Sequence, residues 1–346
     1  MNSIIALLLI QDGLTMGAVY ALLALVLVMV FSVTRVILVA QGELVSYGAL
    51  TMASLQAGHL PGTALIAVAG GVIAAAMELW AYARGPRSRT HLVAAALYVL
   101  VPLAVFGLVA ALAPQGSGAF VRVLLTLLIV VPLGPILYRV AFQPLASAPV
   151  LVLLIVAVAL HFVLTGLGLI AFGAEGVRVA PLIDGMLRFG PYFLSAQALF
   201  TIAITLALIA ALFVFFGSTL SGKALRATAF NEVGARLVGI STTGSGLLAF
   251  SLAALIGTVS GILIGSFATI YYDTGFIIGL KGFVAAILGG LGSYPLAAFG
   301  AVLVGLLESG SSFFASAFKD VLVFALIIPI LMWRSFSAGH AEEEEE

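Results

Sequence analysis

Chemistry that needs ionisable or nucleophilic side chains has few places to reside in this chain. There is no cysteine, so disulfides and thiolate metal sites are excluded. The four histidines are His59, His91, His161 and His340, and no two have the spacing of a helical metal pair. No Gly-x-x-x-x-Gly-Lys-Ser/Thr segment is present, so the chain lacks the usual cradle for ATP phosphates. Two charges stand out, because each interrupts an apolar stretch: Glu43 in Gln41-Gly42-Glu43 and Lys281 in Lys281-Gly282-Phe283. An ionisable residue at membrane depth costs roughly 2.5–3.5 kcal/mol on insertion scales, so it faces a cavity or a partner. Gln41, Gly42, Glu43, Lys281, Gly282 and Phe283 are therefore expected to border a solute path, with Glu43 and Lys281 paired. The bland reading keeps Lys281 snorkelling to the interface and Glu43 bonded to free amides near a helix end. No catalytic or metal-ligating residue is assigned.

The elements that must position these residues are membrane helices. Apolar residues make up 63% of the chain and charged residues 8%, against about 25% charged in soluble domains. So few charges cannot cover a water-soluble surface. Long unbroken apolar runs, such as 92–113 and 199–216, oppose the period-two pattern of an outer-membrane barrel. The expected fold is an all-α polytopic bundle of about 10–11 spans. The breaks between runs predict segments at 13–34, 43–58, 63–83, 92–113, 119–141, 149–172, 195–217, 246–271, 275–290, 294–312 and 319–334. Two are short, 43–58 and 275–290, and the second leads into Leu288-Gly289-Gly290-Leu291-Gly292-Ser293. Irregular backbone at membrane depth survives only beside protein or a water-filled cavity, so a broken helix next to a pathway is expected. The two short segments echo each other weakly and with opposite orientation, which suits an inverted repeat, although small-residue helices also look alike by chance.

Orientation follows from the basic residues. The nominal net charge is zero, but five of the 14 acids form the terminal run 342–346, taken as a disordered tail over 339–346; without them the balance is +5. Arg84, Arg87, Arg89 and His91 share one loop, Lys223, Arg226 and Arg236 another, and Arg334 follows the last span, all on one side. The positive-inside rule places these loops and the C-terminus in the cytoplasm and the N-terminus outside. No cleavable signal peptide is expected, since the first apolar stretch lacks a basic n-region.

The loop over 218–245 carries the most information. From Ala224 to Val238 it has no proline and one interior glycine, which predicts one short cytoplasmic helix. Small residues at Gly257, Ser260, Gly261, Gly265 and Ser266 predict close helix packing within the chain. His161 is expected as a packing histidine, Glu78 and Glu308 as interfacial acids, and Tyr271, Tyr272 and Tyr294 as interfacial belt residues.

Several segments resemble the branched-chain amino acid ABC transporter permease family, the LivH-type inner-membrane subunit. Gly13 to Val30 looks like its first span. Val39-Ala40-Gln41-Gly42-Glu43 resembles its Phe-Ala-His-Gly-Glu element, with Gln41 in place of histidine. Gln143-Pro144-Leu145 resembles its Arg-Pro-Leu turn, again with the basic residue lost. Closer matches are Gly222 to Ala227, Ala235 to Ile240, Gly275 to Phe283, Ala285 to Ser293 and Lys319 to Val321. The resemblance covers about 10–60 and 138–338, leaving 84–137 as a two-helix insertion in a single permease domain. It implies a transport subunit, not an enzyme, of an ATP-driven importer in the bacterial inner membrane, with no cofactor of its own. The implied partners are a second related permease, two ATP-binding cassette subunits that bind and hydrolyse ATP, an extracytoplasmic solute-binding protein and membrane lipid, with no nucleic acid. It implies an ATPase-coupling role for Arg226, Ala229, Asn231, Glu232, Ala235, Arg236 and Gly239. The cargo expected is a branched-chain or hydrophobic amino acid or a related small polar solute. The alternative is an ion-coupled secondary transporter, for which Glu43 is the candidate acid.

Overall fold

The computed structural model describes residues 3–85, 88–112, 118–189 and 192–332. Arg87, Arg334, His340 and the 339–346 tail lie outside the described residues. The described chain is a polytopic helical membrane protein. Eight of its helices are long and apolar enough to cross a bilayer. In order they are α1 (Ser3–Thr34), α3 (Gly62–Arg84), α4 (Arg89–Leu112), the continuous segment Ala119–Leu145, α7 (Val150–Phe172), α8 (Ala196–Ser218), α11 (Thr242–Ile264) and α13 (Tyr294–Phe314). The two segments expected to be short are indeed shorter helices, α2 (Gln41–Gln56) and α12 (Thr274–Leu288). The last expected span begins as α14 (Lys319–Ala325), turns at Leu326 and resumes as helix over 327–332.

Three local features depart from the pattern of apolar runs. The span Ala119–Leu145 is not one regular helix. It comprises α5 (Ala119–Val130), a bend at Val131-Pro132, α6 (Leu133–Leu137), a π-turn (Tyr138–Phe142) and a 3₁₀ turn (Gln143–Leu145). Pro132 and Pro135 lack the amide donors that a regular ladder would use here. The boundary drawn at 137 from sequence therefore falls inside one continuous span. Second, α11 ends at Ile264, not near 271, because the following backbone turns back to pair Ile270 with Val177. Third, an antiparallel hairpin, β1 (Met186–Phe189) with β2 (Tyr192–Ser195), precedes α8.

By backbone contact the chain forms two compact units. One comprises residues 29–182 and 210–279. In it α2 packs closely on α11, where Gly48 meets the backbone of Thr258 and Gly257 meets Leu44. A Cβ at Gly48 would come within 2.7 Å of the Thr258 carbonyl oxygen. The small residues of α11 thus serve close packing, as their spacing suggests. In the same unit α5 turns Leu125, Thr126, Ile129 and Val130 inward, and the Thr126 hydroxyl contacts Met52 of α2. By contrast α4 buries only Ala95, Pro102 and Val109, a single stripe at heptad spacing, and packs against α3 at Gly71.

The other unit comprises residues 1–28, 183–209 and 280–346. Here α13 crosses the first half of α1 through glycines: Gly13 lies against Leu306 and Gly17 against Val302. Ser309 Oγ donates to the Leu9 carbonyl at 2.8 Å across the same contact. The glycine-rich break is present. After Leu288 the chain reverses through Gly290 (φ 72°) and Leu291 (φ 57°), whose amides donate to Ile287 and Ala286. Gly290 takes the left-handed conformation that favours glycine, while Leu291 takes it despite its side chain.

Candidate translocation path and coupling loop

The first candidate cluster is built on the start of α2. The segment 35–40 brings Gln41, Gly42 and Glu43 into the interior of their unit, where all three are buried. Gly42 lies directly against the backbone of Gly275 and Gly279 in the first turns of α12. A Cβ on Gly279 would come 3.0 Å from the Gly42 Cα, so this crossing exists because three glycines leave room for it. Glu43 is completely buried, and its Oε1 lies 2.8 Å from His161 Nδ1 of α7. The His161 ring stacks on Phe276 of α12 at 4.2 Å between centroids. Thr165 Oγ1 sits 3.4 Å from the same histidine nitrogen. One turn further along α2, Tyr47 donates its hydroxyl to the Leu164 carbonyl at 2.6 Å. Together these contacts fasten α2, α7 and the start of α12 around one carboxylate. The histidine that sequence reading set aside as packing is the partner of Glu43.

Lys281 belongs to a different cluster. Its Nζ donates to Glu308 Oε1 of α13 at 2.5 Å and lies 2.9 Å from Asp320 Oδ1 of α14. Tyr20 of α1 donates to Glu308 Oε2 at 2.5 Å. Lys281 is 5% exposed, and the neighbouring Gly282 packs on Leu23. Phe283 is half-buried. Each charge therefore has its own partner: Glu43 has His161, and Lys281 has Glu308 and Asp320. This replaces the Glu43–Lys281 pair expected from sequence. From sequence, Glu308 is expected only as an interfacial acid, and Asp320 appears only within the family-like segment Lys319 to Val321.

Glu78 is likewise more than interfacial. It is buried in α3, with Oε1 2.5 Å from Arg139 Nε of the π-turn and Oε2 2.6 Å from His91 Nδ1 of α4. Burying one carboxylate against a guanidinium offsets part of the desolvation cost of both.

The loop expected to form one helix forms two. α9 (Leu220–Phe230) and α10 (Glu232–Leu237) are separated at Asn231, whose backbone is extended at φ −151°. Asn231 Oδ1 accepts from the Gly234 amide at 2.9 Å and so caps α10. Thr219 and Ser241 cap α9 and α11 in the same way. Asn231 thus has a defined structural task, which the single-helix expectation missed.

The loop has an anchored face and a free face. Leu225 and Ala235 are buried, and Thr228 Oγ1 lies 3.0 Å from Ser245 Oγ of α11. Arg236 pairs with Glu232 one turn earlier, and its Nε donates to Thr242 Oγ1 at 3.2 Å. Ala229 is half-buried, and Gly239 closes the loop at φ 85°. Arg226 is exposed. So are Phe230 (93%), Val233, Leu237 (83%) and Val238, none of which sequence reading selected. Part of the signal was present in the i, i+4 spacing of Val233 and Leu237 within α10. An apolar face this exposed, on helices too short to span a bilayer, has the character of an interaction surface.

Comparison with known proteins shows the family of the chain. Residues 92–331 match the family described as the permease component of the branched-chain amino acid transport system. That stretch includes most of 84–137, for which the motifs above offered no counterpart. Among curated relatives, the high-affinity branched-chain amino acid transport system permease protein LivH of Escherichia coli K12 is 33% identical over 202 residues, covering 56% of this chain and 65% of the relative. The corresponding protein BraD of Pseudomonas aeruginosa is 30% identical over 203 residues, covering 57% and 66%. The autoinducer 2 import system permease protein LsrC of Yersinia pseudotuberculosis is 31% identical over 151 residues, covering 42% and 41%. The matches to LivH and BraD thus span just under two thirds of those proteins. No solved structure matches the chain. With more than half of its length matched by the family's own pattern, the chain belongs to the permease component family of branched-chain amino acid transport systems.

Proposed function

We propose that the chain is a permease subunit of an ATP-driven importer in the bacterial inner membrane, with its N-terminus outside and its C-terminus in the cytoplasm. Its cargo is a branched-chain or hydrophobic amino acid, or a related small polar solute. The observation that carries the coupling half of this reading is the free face of α9 and α10, with Arg226, Phe230, Val233 and Leu237 exposed. A surface of this kind suits docking on ATP-binding cassette subunits, which bind and hydrolyse the ATP. A second related permease and an extracytoplasmic solute-binding protein complete the assembly. Glu43 with Gln41 and Gly42, and Lys281 with Gly282 and Phe283, border the path that alternates its access. ATP binding biases that alternation through its different affinity for the two states.

A specific observation also supports an ion-coupled carrier: the buried acid–base pair of Glu43 and His161 could hold a transported proton. The two readings separate in proteoliposomes. An ATP-driven importer co-purifies with its ATPases and takes up solute only with ATP inside. Uptake that survives without ATP and collapses with a protonophore would reject the importer reading.

A further inference from the structure

The hairpin of β1 and β2 carries a surface that none of the functions above uses. It leads straight into α8 and is fastened there twice. The Ala196 amide donates to the Gly185 carbonyl at 3.1 Å, and the Ile183 amide donates to Gln197 Oε1 at 3.2 Å. The register pairs Met186 with Ser195 and Arg188 with Phe193, so these residues share one face, while Leu187 and Leu194 share the other. The first face is open. Met186 is 74% exposed and Phe193 47%, and the exposed Arg188 holds its guanidinium 5.2 Å from the centre of the Phe193 ring. On the second face Leu194 is half-buried. Neither strand carries an acidic residue.

The length of α8 fixes where this face sits. Its 23 residues span about 34 Å, against a hydrocarbon core of about 30 Å, so its first residue lies at one edge of the core. The helix is itself a lipid-facing one: its buried residues, Gln197, Ala198, Thr201 and Thr205, all lie in its first half, and Leu206, Phe213 and Val214 are exposed. Headgroups add roughly 5–7 Å on each side of the core. Met186, opposite Ser195, is therefore held at headgroup level whatever the tilt of the hairpin. Tilt sets the depth of the rest. An upright hairpin would lift Phe193, three strand residues from Ala196, about 10 Å from the core edge, past the headgroups and into water. A hairpin lying over keeps Met186 and Phe193 against the acyl boundary and puts Arg188 among lipid phosphates. Exposed apolar side chains around a cation, with no acid among them, match that layer and not bulk water.

We infer that the hairpin lies on the bilayer surface beside the start of α8, with Met186 and Phe193 in the interfacial layer and Arg188 bound to lipid phosphate. It anchors α8 in lipid at the same end where α8 packs on protein, and so fixes the depth of that end, while the second half of the helix buries no residue. The inference rests on α8 as a membrane span and not on the direction or energy source of transport.

The chain contains no cysteine, so one introduced cysteine carries a nitroxide without further changes. Met186→Cys, Leu187→Cys and Phe193→Cys are each labelled in the full-length chain, with any subunits that co-purify, in vesicles of phosphatidylethanolamine and phosphatidylglycerol. Power saturation then compares collisions with oxygen, which concentrates in lipid, and with a nickel chelate, which stays in water. The oxygen-to-nickel ratio should be severalfold higher at 186 and 193 than at 187, because alternate residues face opposite sides. All three positions are exposed, so melting temperatures should stay at the wild-type value and report intact folding. Arg188→Glu in the Phe193→Cys chain should lower the ratio at 193 toward that at 187, since phosphates repel the new carboxylate, and Arg188→Lys should preserve it. Equal ratios on the two faces, or nickel-dominated collisions at 186 and 193, overturn the inference and leave the face to a protein partner. So does a ratio at 193 that is indifferent to Arg188→Glu, since the arginine then holds no phosphate.

Discussion

Glu43 Oε1 and His161 Nδ1 are separated by 118 positions in sequence and 2.8 Å in space, and no surface of the carboxylate reaches solvent. Removing one member of such a pair leaves the other buried without its partner, which costs more than replacing both with apolar groups. His161→Phe should therefore destabilise the protein more than the double change His161→Phe with Glu43→Gln. The coupling energy from a double-mutant cycle on thermal unfolding in detergent should fall within about 0.5–3 kcal/mol. Strict additivity would mean that the bond contributes nothing.

Lys281 makes a second, separate test. With Glu308 and Asp320 both on its ammonium, Lys281→Met leaves the largely buried Glu308 with Tyr20 alone, while Asp320 is 40% exposed and stays hydrated. Adding Glu308→Gln to Lys281→Met should recover part of the lost stability, because it removes the buried charge left without its cation. Each of Glu43 and Lys281 is satisfied by its own partner, so Glu43→Gln and Lys281→Met should add within about 0.5 kcal/mol. A coupling well above that value would restore the direct pair suggested by the sequence.

The sequence exposes its spans readily because bilayer thickness demands long apolar runs, and every predicted segment contains helix. Boundaries fail where composition and backbone diverge. Residues 265–271 stay largely apolar after α11, but the chain has already turned toward Val177. The π-turn at Tyr138–Phe142 leaves no periodic trace in so short a stretch. The charge clusters are harder still. His161 stands alone in an apolar helix and looks like packing until α2 brings Glu43 to it. Arg139 and Glu78 are 61 positions apart, and only the fold pairs them. The break at Asn231 was legible in principle, since asparagine followed by Glu232 is a helix-start signal inside the loop.

The glycine crossing gives a prediction that involves no charge. A methyl group on Gly42 would meet the Gly275 carbonyl, and one on Gly275 would meet the Gly42 carbonyl. Backbone atoms cannot rotate aside as a side-chain end can. Gly42→Ala and Gly275→Ala should each cost about 1–3 kcal/mol through overpacking. Gly166→Ala on α7, where an added Cβ meets nothing within 4 Å, is the control and should be neutral or slightly stabilising. Fluorescence-detected unfolding of the three variants in one detergent makes the comparison. Equal melting temperatures would show that α2 and α12 can separate freely.

The loop over 218–245 divides its residues by task, and the division can be measured. Asn231 caps α10, so Asn231→Ala should cost about 1 kcal/mol of local stability, with faster amide exchange over 232–237. Leu237 is 83% exposed and has little packing to lose, so Leu237→Asp should leave folding and membrane insertion intact. If α10 docks on an ATPase, that same change buries an unpaired charge in the interface and costs the complex at least about 2 kcal/mol. Arg226→Glu should act in the same direction, and more strongly at low salt than at high salt. Co-purification with the ATPases and solute-stimulated ATP hydrolysis read the outcome. If Leu237→Asp retains both at wild-type levels while its melting temperature is also unchanged, the exposed apolar face is not a docking surface for an ATPase.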